Sequence, residues 1–253
     1  MDWILLKRVS RSFYLTLRLL PGPVRDSIAL AYLLARLSDT EADGAASEAE
    51  RELLARRAEL ERLLAASPDR AEIENVWTTI QEGQRFDGER FGSVTPRIGG
   101  GNHLPHALSK EERDRYTYLV AGCVGEFWTA ICAKRLPGFS RRSREEMARL
   151  GVNFGKGLQL VNILRDRASD AHLGRVYVPS EAMPETLGLA RLFLRDAETY
   201  VRALTQRRLR AACALPLLLA RETLDLVERH PDAGRVKVSR VRVWMLFLKA
   251  LVF

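Results

Sequence analysis

Cysteine is scarce in this sequence, and long hydrophobic runs are missing. Three cysteines occur among 253 residues, Cys123, Cys132 and Cys213, and no two of them form a CxxC pair. Such a small, odd number argues against a disulfide framework or a zinc site. It favours a reducing, cytoplasmic compartment in which the three thiols pack as small core side chains. The N-terminus has no signal-peptide pattern, and no apolar run reaches the ~18 residues of a membrane span.

Strand-like alternation is missing too. No segment alternates apolar and polar residues long enough to predict a sheet, and no fixed-period repeat or Ser/Gly linker divides the chain. Capping boxes recur instead, with a serine three residues before a glutamate: Ser47 and Glu50, Ser109 and Glu112, Ser143 and Glu146. The sequence therefore predicts one all-α domain over residues 1–253, packed around a central space. The expected helices are about 3–19, 24–43, 47–66, 68–91, 109–135, 143–170, 187–212, 215–229 and 238–252, with a Gly-rich loop at 91–105.

Positive charge is in excess, with 40 Lys and Arg against 32 Asp and Glu. This is typical of a solvated basic surface, but it also suggests an anionic partner: nucleic acid, a phosphorylated metabolite or an acidic membrane surface. No DNA- or RNA-binding motif and no basic–aromatic stripe accompanies the charge, so we expect no nucleic-acid partner. The C-terminal "VWMLFLKALVF" is too short to span a membrane. It predicts a core helix or a helix that rests on a lipid surface.

Two acids and a base share one stripe of the predicted helix that ends in "AYLLARLSDTEAD". Arg36, Asp39 and Asp43 are spaced by three and four residues, which places them along one face. Acids near a helix C-terminus oppose the helix dipole, typically by ~0.3–1 kcal/mol each. A solvated face is the ordinary explanation of such a pair, so this stripe alone is weak support for a site.

A second stripe of the same kind strengthens the case. The segment "GVNFGKGLQLVNILRDRASD" ends in Asp166 and Asp170, again four residues apart, with Gln159 and Asn162 on roughly the same face and Arg165 adjacent. Two facing carboxylate pairs suit Mg²⁺, which favours a few carboxylates together with substrate phosphate oxygens. Arginines contact the same phosphates by charge-assisted hydrogen bonds. The two stripes together predict a metal–phosphate site.

Five motifs follow one another between about residue 9 and residue 179: "SRSFYLTLRLLPGPVR", "YLLARLSDTEAD", "GQRFDGERF", "YTYLVAGCVGE" and "GLQLVNILRDRASDAHLGRVYVP". In this order they resemble the squalene/phytoene synthase family, the head-to-head prenyl synthases, and they are most similar to squalene-synthase-type bacterial members. The residues after 179 match only in being helical and basic. The resemblance implies an all-α isoprenoid-synthase fold, a single helical bundle around a deep central cavity.

The activity that the resemblance implies is a prenyltransferase reaction. Two farnesyl diphosphates would be condensed head to head with Mg²⁺, giving presqualene diphosphate and then squalene or a related C30 product. NADPH would be needed only if the product is squalene, and no Gly-rich dinucleotide fingerprint decides this. Two alternatives stay open: a phytoene synthase acting on geranylgeranyl diphosphate, and a non-catalytic lipid-binding or assembly protein with the same fold. Loss of the aspartates would be the signature of the latter.

The same resemblance assigns roles to individual residues. The metal ligands would be Asp39, Asp43, Asp166 and Asp170. The diphosphate contacts and their polar helpers would be Arg36, Arg165, Arg175, Ser10, Ser12, Gln159 and Asn162. The catalytic tyrosines would be Tyr32, one turn before Arg36, and Tyr118 and Tyr177, which match family tyrosines. A helical tyrosine is more often a core residue with its hydroxyl satisfied, so this alternative stays open for all three.

Several residues depart from the family pattern. Thr40 follows Asp39 where phytoene synthases carry a second aspartate, and this resembles squalene synthases. Leu173 stands where an arginine is frequent, and Lys156 is unusual within a run of small residues. The chain also lacks the C-terminal membrane anchor of eukaryotic squalene synthases. We therefore expect a cytoplasmic protein, with peripheral membrane contact as an alternative and no prediction of its oligomeric state.

Three further features have competing explanations. Gly122 and Gly125 cost a helix roughly 1 kcal/mol each relative to alanine, and they either leave room for a prenyl chain or allow close helix packing. The "RVKVSR" segment, 235–240, carries Arg235, Lys237 and Arg240. It either closes over a diphosphate, binds a phosphorylated cofactor or is a solvated helix start, and we favour the last. His103 and His106 have metal-ligand spacing in the Gly-rich loop, but no further ligands lie nearby in the sequence.

Overall fold

The structure is a computed structural model that describes residues 2–10, 13–44, 47–92, 107–230 and 235–253; of Asp43 it describes the backbone only. Ser12, His103 and His106 therefore lie outside the described residues. Within those ranges the secondary structure is helical, without a strand, and the predicted all-α class is confirmed. The helices are α1 (Trp3–Ser10), α2 (Phe13–Leu19), α3 (Gly22–Asp43), α4 (Glu48–Ala55), α5 (Arg57–Ala65), α6 (Arg70–Phe91), α7 (Lys110–Thr117), α8 (Cys123–Arg135), α9 (Arg144–His172), α10 (Met183–Ala203), α11 (Arg207–Arg229) and α12 (Arg240–Leu251).

Local capping determines where several helices begin. The Oγ atoms of Ser47 and Ser109 accept hydrogen bonds from the N–H of the glutamate three residues on, at 3.2 and 3.1 Å. Each of those glutamate side chains accepts a hydrogen bond from the serine N–H in return. Ser143 caps α9 through the N–H of Glu146, at 3.2 Å. Because an N-cap side chain is worth roughly 1 kcal/mol, these serines start α4, α7 and α9 where the sequence predicted.

Other predicted boundaries were wrong. The sequence suggested a break between residues 212 and 215, before Pro216, whereas α11 runs through Pro216 and the break falls at residues 204–206. The cause is tertiary: Leu204 forms an isolated bridge with Ser140, and the N–H of Thr205 donates to the Phe139 carbonyl at 2.9 Å. The helix expected at 47–66 is likewise divided into α4 and α5.

Helix α9 lies at the centre of the bundle. It packs against α8, α10 and α11, and against a five-residue π-helical segment, Tyr118–Gly122, that joins α7 to α8. Helix α3 packs against α6 and α8 on the other side. Cys123, Cys132 and Cys213 are buried and free, as predicted. None of the described helices combines the length and the apolar character needed to cross a membrane.

Glycines bring α8 and α9 into backbone contact. A Cβ atom built on Gly125 would lie 1.9 Å from the carbonyl oxygen of Gly151, and one on Gly155 would lie 2.0 Å from that of Ala121. No side chain fits there without moving a helix, because protein interiors are already close-packed. Of the two explanations for Gly125, close helix packing therefore holds. Since Gly125, Gly151 and Gly155 also line the central cavity, the same contact shapes its wall.

A buried ion pair ties the start of α6 to the end of α8. The Asp69 side chain is 1% exposed and accepts two hydrogen bonds from Arg135, at 2.7 and 3.0 Å. Ser27 of α3 donates to the same carboxylate at 2.6 Å, and the Lys134 ammonium lies 3.1 Å away. Burial alone would raise the pKa of Asp69, but the hydrogen bonds from Arg135, Ser27 and Lys134 outweigh it and lower the pKa. This contact holds three helices together outside the cavity.

Candidate active site

A central cavity of about 460 Å³ lies among α2, α3, α8, α9, α10, α11 and the π-helical segment. Its lining is mainly apolar, and it includes polar side chains that the sequence had singled out: Tyr32, Asp39, Gln159 and Asn162. Along α9 the lining changes from Gly151, Phe154, Gly155 and Leu158 to Gln159 and Asn162. Asp166 and Asp170 follow one and two turns later. The cavity therefore has an apolar part and a polar part, with the acidic motif of α9 beyond the polar part.

A smaller cavity of about 350 Å³ adjoins the polar part and brings four predicted residues together: Ser10, Tyr32, Arg36 and Asp39. Tyr32 and Asp39 line both cavities. The Ser10 hydroxyl donates to the Leu6 carbonyl, and the Tyr32 hydroxyl donates to the Val9 carbonyl at 3.2 Å. The Tyr32 hydroxyl thus ties α3 to α1, whereas the Ser10 bond lies within α1. Tyr32 additionally packs on Phe13 with ring centroids 5.0 Å apart. Ser10 is buried and lies beside the first acidic motif.

Two polar residues that the sequence analysis did not name as site residues hold the first motif. Arg36 forms an ion pair with Glu50, whose other oxygen accepts the Ser47 N–H at the start of α4. Gln84 of α6 donates to the Asp39 carboxylate at 2.5 Å. Arg36 is also 3.8 Å from Asp39. Glu50 was recognisable only as a capping residue, because its partner lies on a different helix.

Two arginines converge on Asp166 in the second motif. Arg165 donates two hydrogen bonds to its carboxylate, at 3.0 and 2.5 Å. Arg235, which precedes α12, places its Nε atom 2.8 Å from the same carboxylate. The sequence favoured a solvated helix start for the segment that begins with Arg235. The Arg235 side chain is indeed 46% exposed, yet it also contacts Asp166. The C-terminal segment contributes a cation to this end of the cavity because the fold returns it to α9.

Asp170 carries a perturbed carboxyl group. Burial and the neighbouring Asp166 carboxylate raise the pKa of Asp170 to about 6, while Arg175 opposes the shift. Asp87 of α6 adds a further negative charge. Asp87 lies within the "GQRFDGERF" motif, yet the sequence analysis did not single it out. A site that holds three acids in partial burial favours a bound cation, because a cation offsets their mutual repulsion.

Asp87 also anchors Tyr177. The Tyr177 hydroxyl donates to the Asp87 carboxylate at 2.6 Å, and the Arg175 guanidinium lies 3.8 Å from the other oxygen. The Tyr177 ring stacks on Tyr116 with centroids 5.1 Å apart, and it meets Phe91 edge-on at 5.0 Å. Burial and these neighbours raise the pKa of Tyr177. Tyr177 is thus a buried tyrosine with a satisfied hydroxyl, and it positions Asp87.

Tyr118 occupies the first position of the π-helical segment. Its hydroxyl donates to Glu126 at 2.9 Å, and burial together with this carboxylate raises the pKa of Tyr118 to about 12. The cavity lining contains Val120 and Ala121 from the same segment rather than Tyr118. Short π-helical insertions frequently occur at functional sites. Here the insertion interrupts the single helix that was predicted over 109–135 and presents two small apolar side chains to the cavity.

The carboxylates of this site suit a magnesium ion only if a substrate diphosphate supplies further ligands. Among the residues whose side chains the structure describes, no three His, Cys, Asp or Glu converge into one metal cluster. Asp39 lies on α3, Asp166 and Asp170 lie on α9, and the carboxylate of Asp43 is outside the description. Mg²⁺ commonly takes one or two carboxylates and completes its octahedron with water and substrate phosphates. The residues present therefore suit Mg²⁺ that is bound together with a diphosphate.

Comparison with known proteins agrees with this geometry. An all-α bundle whose acidic helix segments border an apolar cavity is the architecture of the isoprenoid synthases. Within that class, the sequence profile of the squalene/phytoene synthase family matches residues 6–189 and 180–242. The chain belongs to this family.

Curated relatives fall on both branches of the family. Over 293 residues the chain is 26% identical to squalene synthase ERG9 of Saccharomyces cerevisiae, covering 97% of this chain and 66% of the relative. It is 27% identical to the phytoene synthase of Rhodobacter capsulatus over 214 residues, covering 82% and 60%. A bifunctional lycopene cyclase/phytoene synthase of Phaeosphaeria nodorum is 28% identical, with 72% and 34% covered. The chain thus spans between about a third and two thirds of the length of these relatives.

Solved structures share the fold. TcSQS in complex with the ligand BPH1237 superimposes with a TM-score of 0.80 at 20% identity, covering 98% of this chain and 85% of that one. A dehydrosqualene synthase in complex with a ligand gives 0.64 at 21% identity, with 98% and 93% covered. Squalene synthase HpnC from Alicyclobacillus acidocaldarius gives 0.63 at 19% identity, with 92% and 95% covered. The predicted isoprenoid-synthase fold is confirmed.

Proposed function

We propose that this protein condenses two farnesyl diphosphates head to head in a Mg²⁺-dependent reaction, giving presqualene diphosphate and then squalene or a related C30 product. One observation carries the proposal above all. Along α9 a single cavity wall passes from the apolar Phe154 to the amides Gln159 and Asn162, and the helix continues to Asp166. An apolar cavity with an acidic and basic mouth is what a prenyl tail and its diphosphate require.

Different side chains of this chain would bind the diphosphate, hold the metal and exclude water. Arg165 and Arg235, now on Asp166, would turn to the phosphate oxygens when substrate arrives, because guanidinium groups pair with phosphate in bidentate fashion. Asp39, Asp43, Asp166 and Asp170 would hold Mg²⁺, which stabilises the departing diphosphate. The apolar walls would keep water from the allylic cation that remains. The second substrate's double bond would then attack this cation, and loss of a proton from the donor's former C1 would close the cyclopropane ring of presqualene diphosphate. Family membership with all four aspartates present favours catalysis over the non-catalytic alternative.

The metal role is tested by titrating Mg²⁺ against turnover of farnesyl diphosphate. Asp39→Asn and Asp166→Asn should each lower kcat/KM by at least about a hundredfold, since each removes a charged ligand. Asp225→Asn is the matched control, because Asp225 is a half-exposed carboxylate on α11 that faces Arg191 at 3.6 Å. Full activity in both of the first two variants would refute the metal assignment.

An aromatic wall of the cavity supports the fifteen-carbon substrate over the twenty-carbon one in this proposal. Trp128, Phe154 and Tyr200 line the cavity, and Phe154 meets Tyr200 with ring centroids 6.1 Å apart. The Tyr200 hydroxyl is fixed by Thr129 at 3.0 Å, so this aromatic wall is held in place. We infer that the wall limits tail length. NADPH would be used only if the presqualene intermediate is reduced to squalene.

Chain length is tested by product ratio. With both substrates supplied, Phe154→Leu should raise the fraction of C40 product, because the shorter side chain deepens the cavity. Phe127→Leu is the control, since Phe127 is equally buried but outside the cavity lining. A wild-type protein that makes C40 product alone would support the phytoene synthase alternative.

We further propose a cytoplasmic enzyme that contacts an anionic membrane surface through α12. Val241, Trp244 and Leu248 are 71%, 58% and 61% exposed, and they lie on one face of this helix. On the opposite face Leu246 and Ala250 are buried against the bundle. Several cations lie close to the apolar face in sequence: Lys237, Arg240 and Lys249. An apolar face with basic neighbours suits a surface of anionic lipid, where the substrate tail and product also partition.

Vesicle flotation tests this contact. Wild-type protein should float with vesicles that contain phosphatidylglycerol. The double variant that carries Trp244→Asp and Leu248→Asp should remain in solution. Ile4→Asp is the control, because Ile4 is 76% exposed on α1. The proposal would be refuted if the double variant of α12 floated as well as Ile4→Asp. A soluble dimer that the α12 substitutions disrupt would refute it too.

A further inference from the structure

One buried arginine has no partner among the described residues. Arg113 of α7 is 3% exposed, and its guanidinium forms no hydrogen bond or ion pair with any residue that the structure describes. The other basic residues of this helix are paired: Lys110 with Glu185 at 2.7 Å and Arg115 with Glu82 at 2.8 Å. Burying a guanidinium without a partner is unfavourable, because its lost hydration is not replaced. Arg113 is therefore an exception that calls for a ligand.

Arg113 lines a cavity of about 420 Å³ between α7, α9 and α10. The lining residues are Lys110, Glu111, Arg113, Asp114, Arg115, Thr117, Leu160 and Leu189. None of them lines the central cavity. On α9, Leu160 belongs to this cavity, whereas its neighbours Gln159 and Asn162 belong to the central one. The two cavities thus lie on different faces of α9.

The acids around this cavity are already engaged elsewhere. Asp114 is held by Lys156, which reaches it from α9 and lies over the Phe193 ring at 5.8 Å. This pair accounts for the unusual Lys156 of the sequence. Glu111 accepts a hydrogen bond from the Ser109 hydroxyl at 2.9 Å. The charge of Arg113 contributes to lowering the pKa of Glu111 and of Glu185, yet neither carboxylate lies within ion-pair distance of Arg113. Among the cations of the described lining, Arg113 is therefore the one without an ion pair.

We propose that this cavity is a second binding site, separate from the active site, for an oxyanion carried on a small apolar body. A guanidinium presents parallel N–H donors that match a carboxylate or a phosphate, and Arg113 is the one cation of the described lining without an ion pair. Leu160 and Leu189 supply the apolar wall. The proposal does not depend on the substrate of the central cavity.

Ligand binding here would reach the active site through one short connection. Helix α7 runs directly into the π-helical segment, and Val120 and Ala121 of that segment line the central cavity. An anion on Arg113 therefore stabilises the element that forms one wall of the active site.

Calorimetric titration with butyl phosphate and with butyrate tests the proposal. Wild type and Arg115→Leu should bind with equal affinity, because Arg115 lines the same cavity but is paired and exposed. Arg113→Leu should lose at least about tenfold in affinity, since a charge-assisted contact is removed. The ligand-free Arg113→Leu protein should unfold at the same temperature as wild type or higher, because an uncompensated buried charge has gone. Whichever probe binds more tightly identifies the head group as phosphate or carboxylate.

Two further variants keep the test decisive. Arg113→Lys preserves the charge but not the paired N–H donors, so it should weaken binding. This variant should fold, and it replaces Arg113→Leu in the test if Arg113→Leu fails to fold. The titrations are repeated in Arg165→Ala, which removes a cation of the candidate active site. Binding that disappears with Arg165→Ala but survives Arg113→Leu would place the anion in the active site and overturn the proposal. The absence of binding of both probes to wild type would also overturn it.

Discussion

Arg235 places its Nε atom 2.8 Å from the Asp166 carboxylate, so the segment before α12 reaches the acidic motif of α9. Asp166 is thereby held by two guanidinium groups, one adjacent in sequence and one distant. The contact therefore links the C-terminal part of the chain to the chemistry proposed for the cavity.

Replacing Arg235 by glutamine should weaken diphosphate binding. A charge-assisted hydrogen bond contributes about 1.5–3 kcal/mol, so kcat/KM for farnesyl diphosphate should fall about ten- to a hundredfold, mainly through KM. Lys237→Gln is the matched control, because Lys237 is an exposed cation two residues away. Steady-state kinetics measure both variants. Equal losses in the two would mean that general basicity matters rather than the contact with Asp166.

The pair Asp87 and Tyr177 should behave as one unit. Their hydrogen bond of 2.6 Å is partly buried, and removing one partner leaves the other unsatisfied, which costs roughly 1–3 kcal/mol. We expect Asp87→Ala and Tyr177→Phe to be non-additive by about 1–2 kcal/mol in the free energy of unfolding. Urea denaturation of the two single variants and the double variant measures this coupling. Additive losses would show that the hydrogen bond contributes nothing to stability.

Alanine at Gly125 should disrupt the contact between α8 and α9. The added Cβ would lie 1.9 Å from the Gly151 carbonyl oxygen, so the helices must separate and the cavity wall must shift. We expect a loss of roughly 3 kcal/mol or failure to fold. Gly188→Ala on α10 is the control: nothing lies within 4 Å of its Cβ, and helix propensity predicts a gain of up to about 1 kcal/mol. Thermal unfolding that is unchanged in Gly125→Ala would contradict the close approach.

The ion pair at Asp69 predicts a pH dependence of stability. Because the folded state lowers the pKa of Asp69, its contribution is complete above the unfolded pKa of about 3.9. It is lost as the pH falls through the lower folded-state value. Asp69→Asn should therefore destabilise the protein by roughly 2–3 kcal/mol at pH 7, and the difference from wild type should shrink in acid.

Chemical denaturation between pH 2.5 and pH 7 measures this dependence. Glu74→Gln serves as the control, because Glu74 forms an exposed pair with Arg70 and should change stability by less than about 1 kcal/mol. A constant difference between wild type and Asp69→Asn across the whole range would contradict the assignment.

Features that depend on local sequence were predictable. Serine caps act within three residues, so Ser47, Ser109 and Ser143 predicted helix starts that the structure contains. Helical spacing placed Arg36 on the same stripe as Asp39, and the two are 3.8 Å apart. The motif order indicated the family, and with it a central cavity lined by Gln159 and Asn162.

Features that depend on distant contacts were not. The break before α11 occurs because residues 204 and 205 pair with residues 139–141. The sequence near residue 204 gives no sign of this pairing. Asp87 and Arg235 reach the site through Tyr177 and Asp166, which lie far from them in the sequence. Arg113 was not among the predicted site residues, since only the packing of α7 against α6 and α9 buries it. Charge and spacing do not reveal which side of such a helix becomes the interior.

Product identification tests the central claim most directly. Purified protein is incubated with Mg²⁺ and farnesyl diphosphate, with and without NADPH, and the products are identified by mass spectrometry. The proposed function predicts a C30 product that disappears when Mg²⁺ is chelated, and its reduction state with NADPH distinguishes squalene from earlier intermediates. An absence of condensation product from farnesyl diphosphate, with geranylgeranyl diphosphate equally inert, would contradict it.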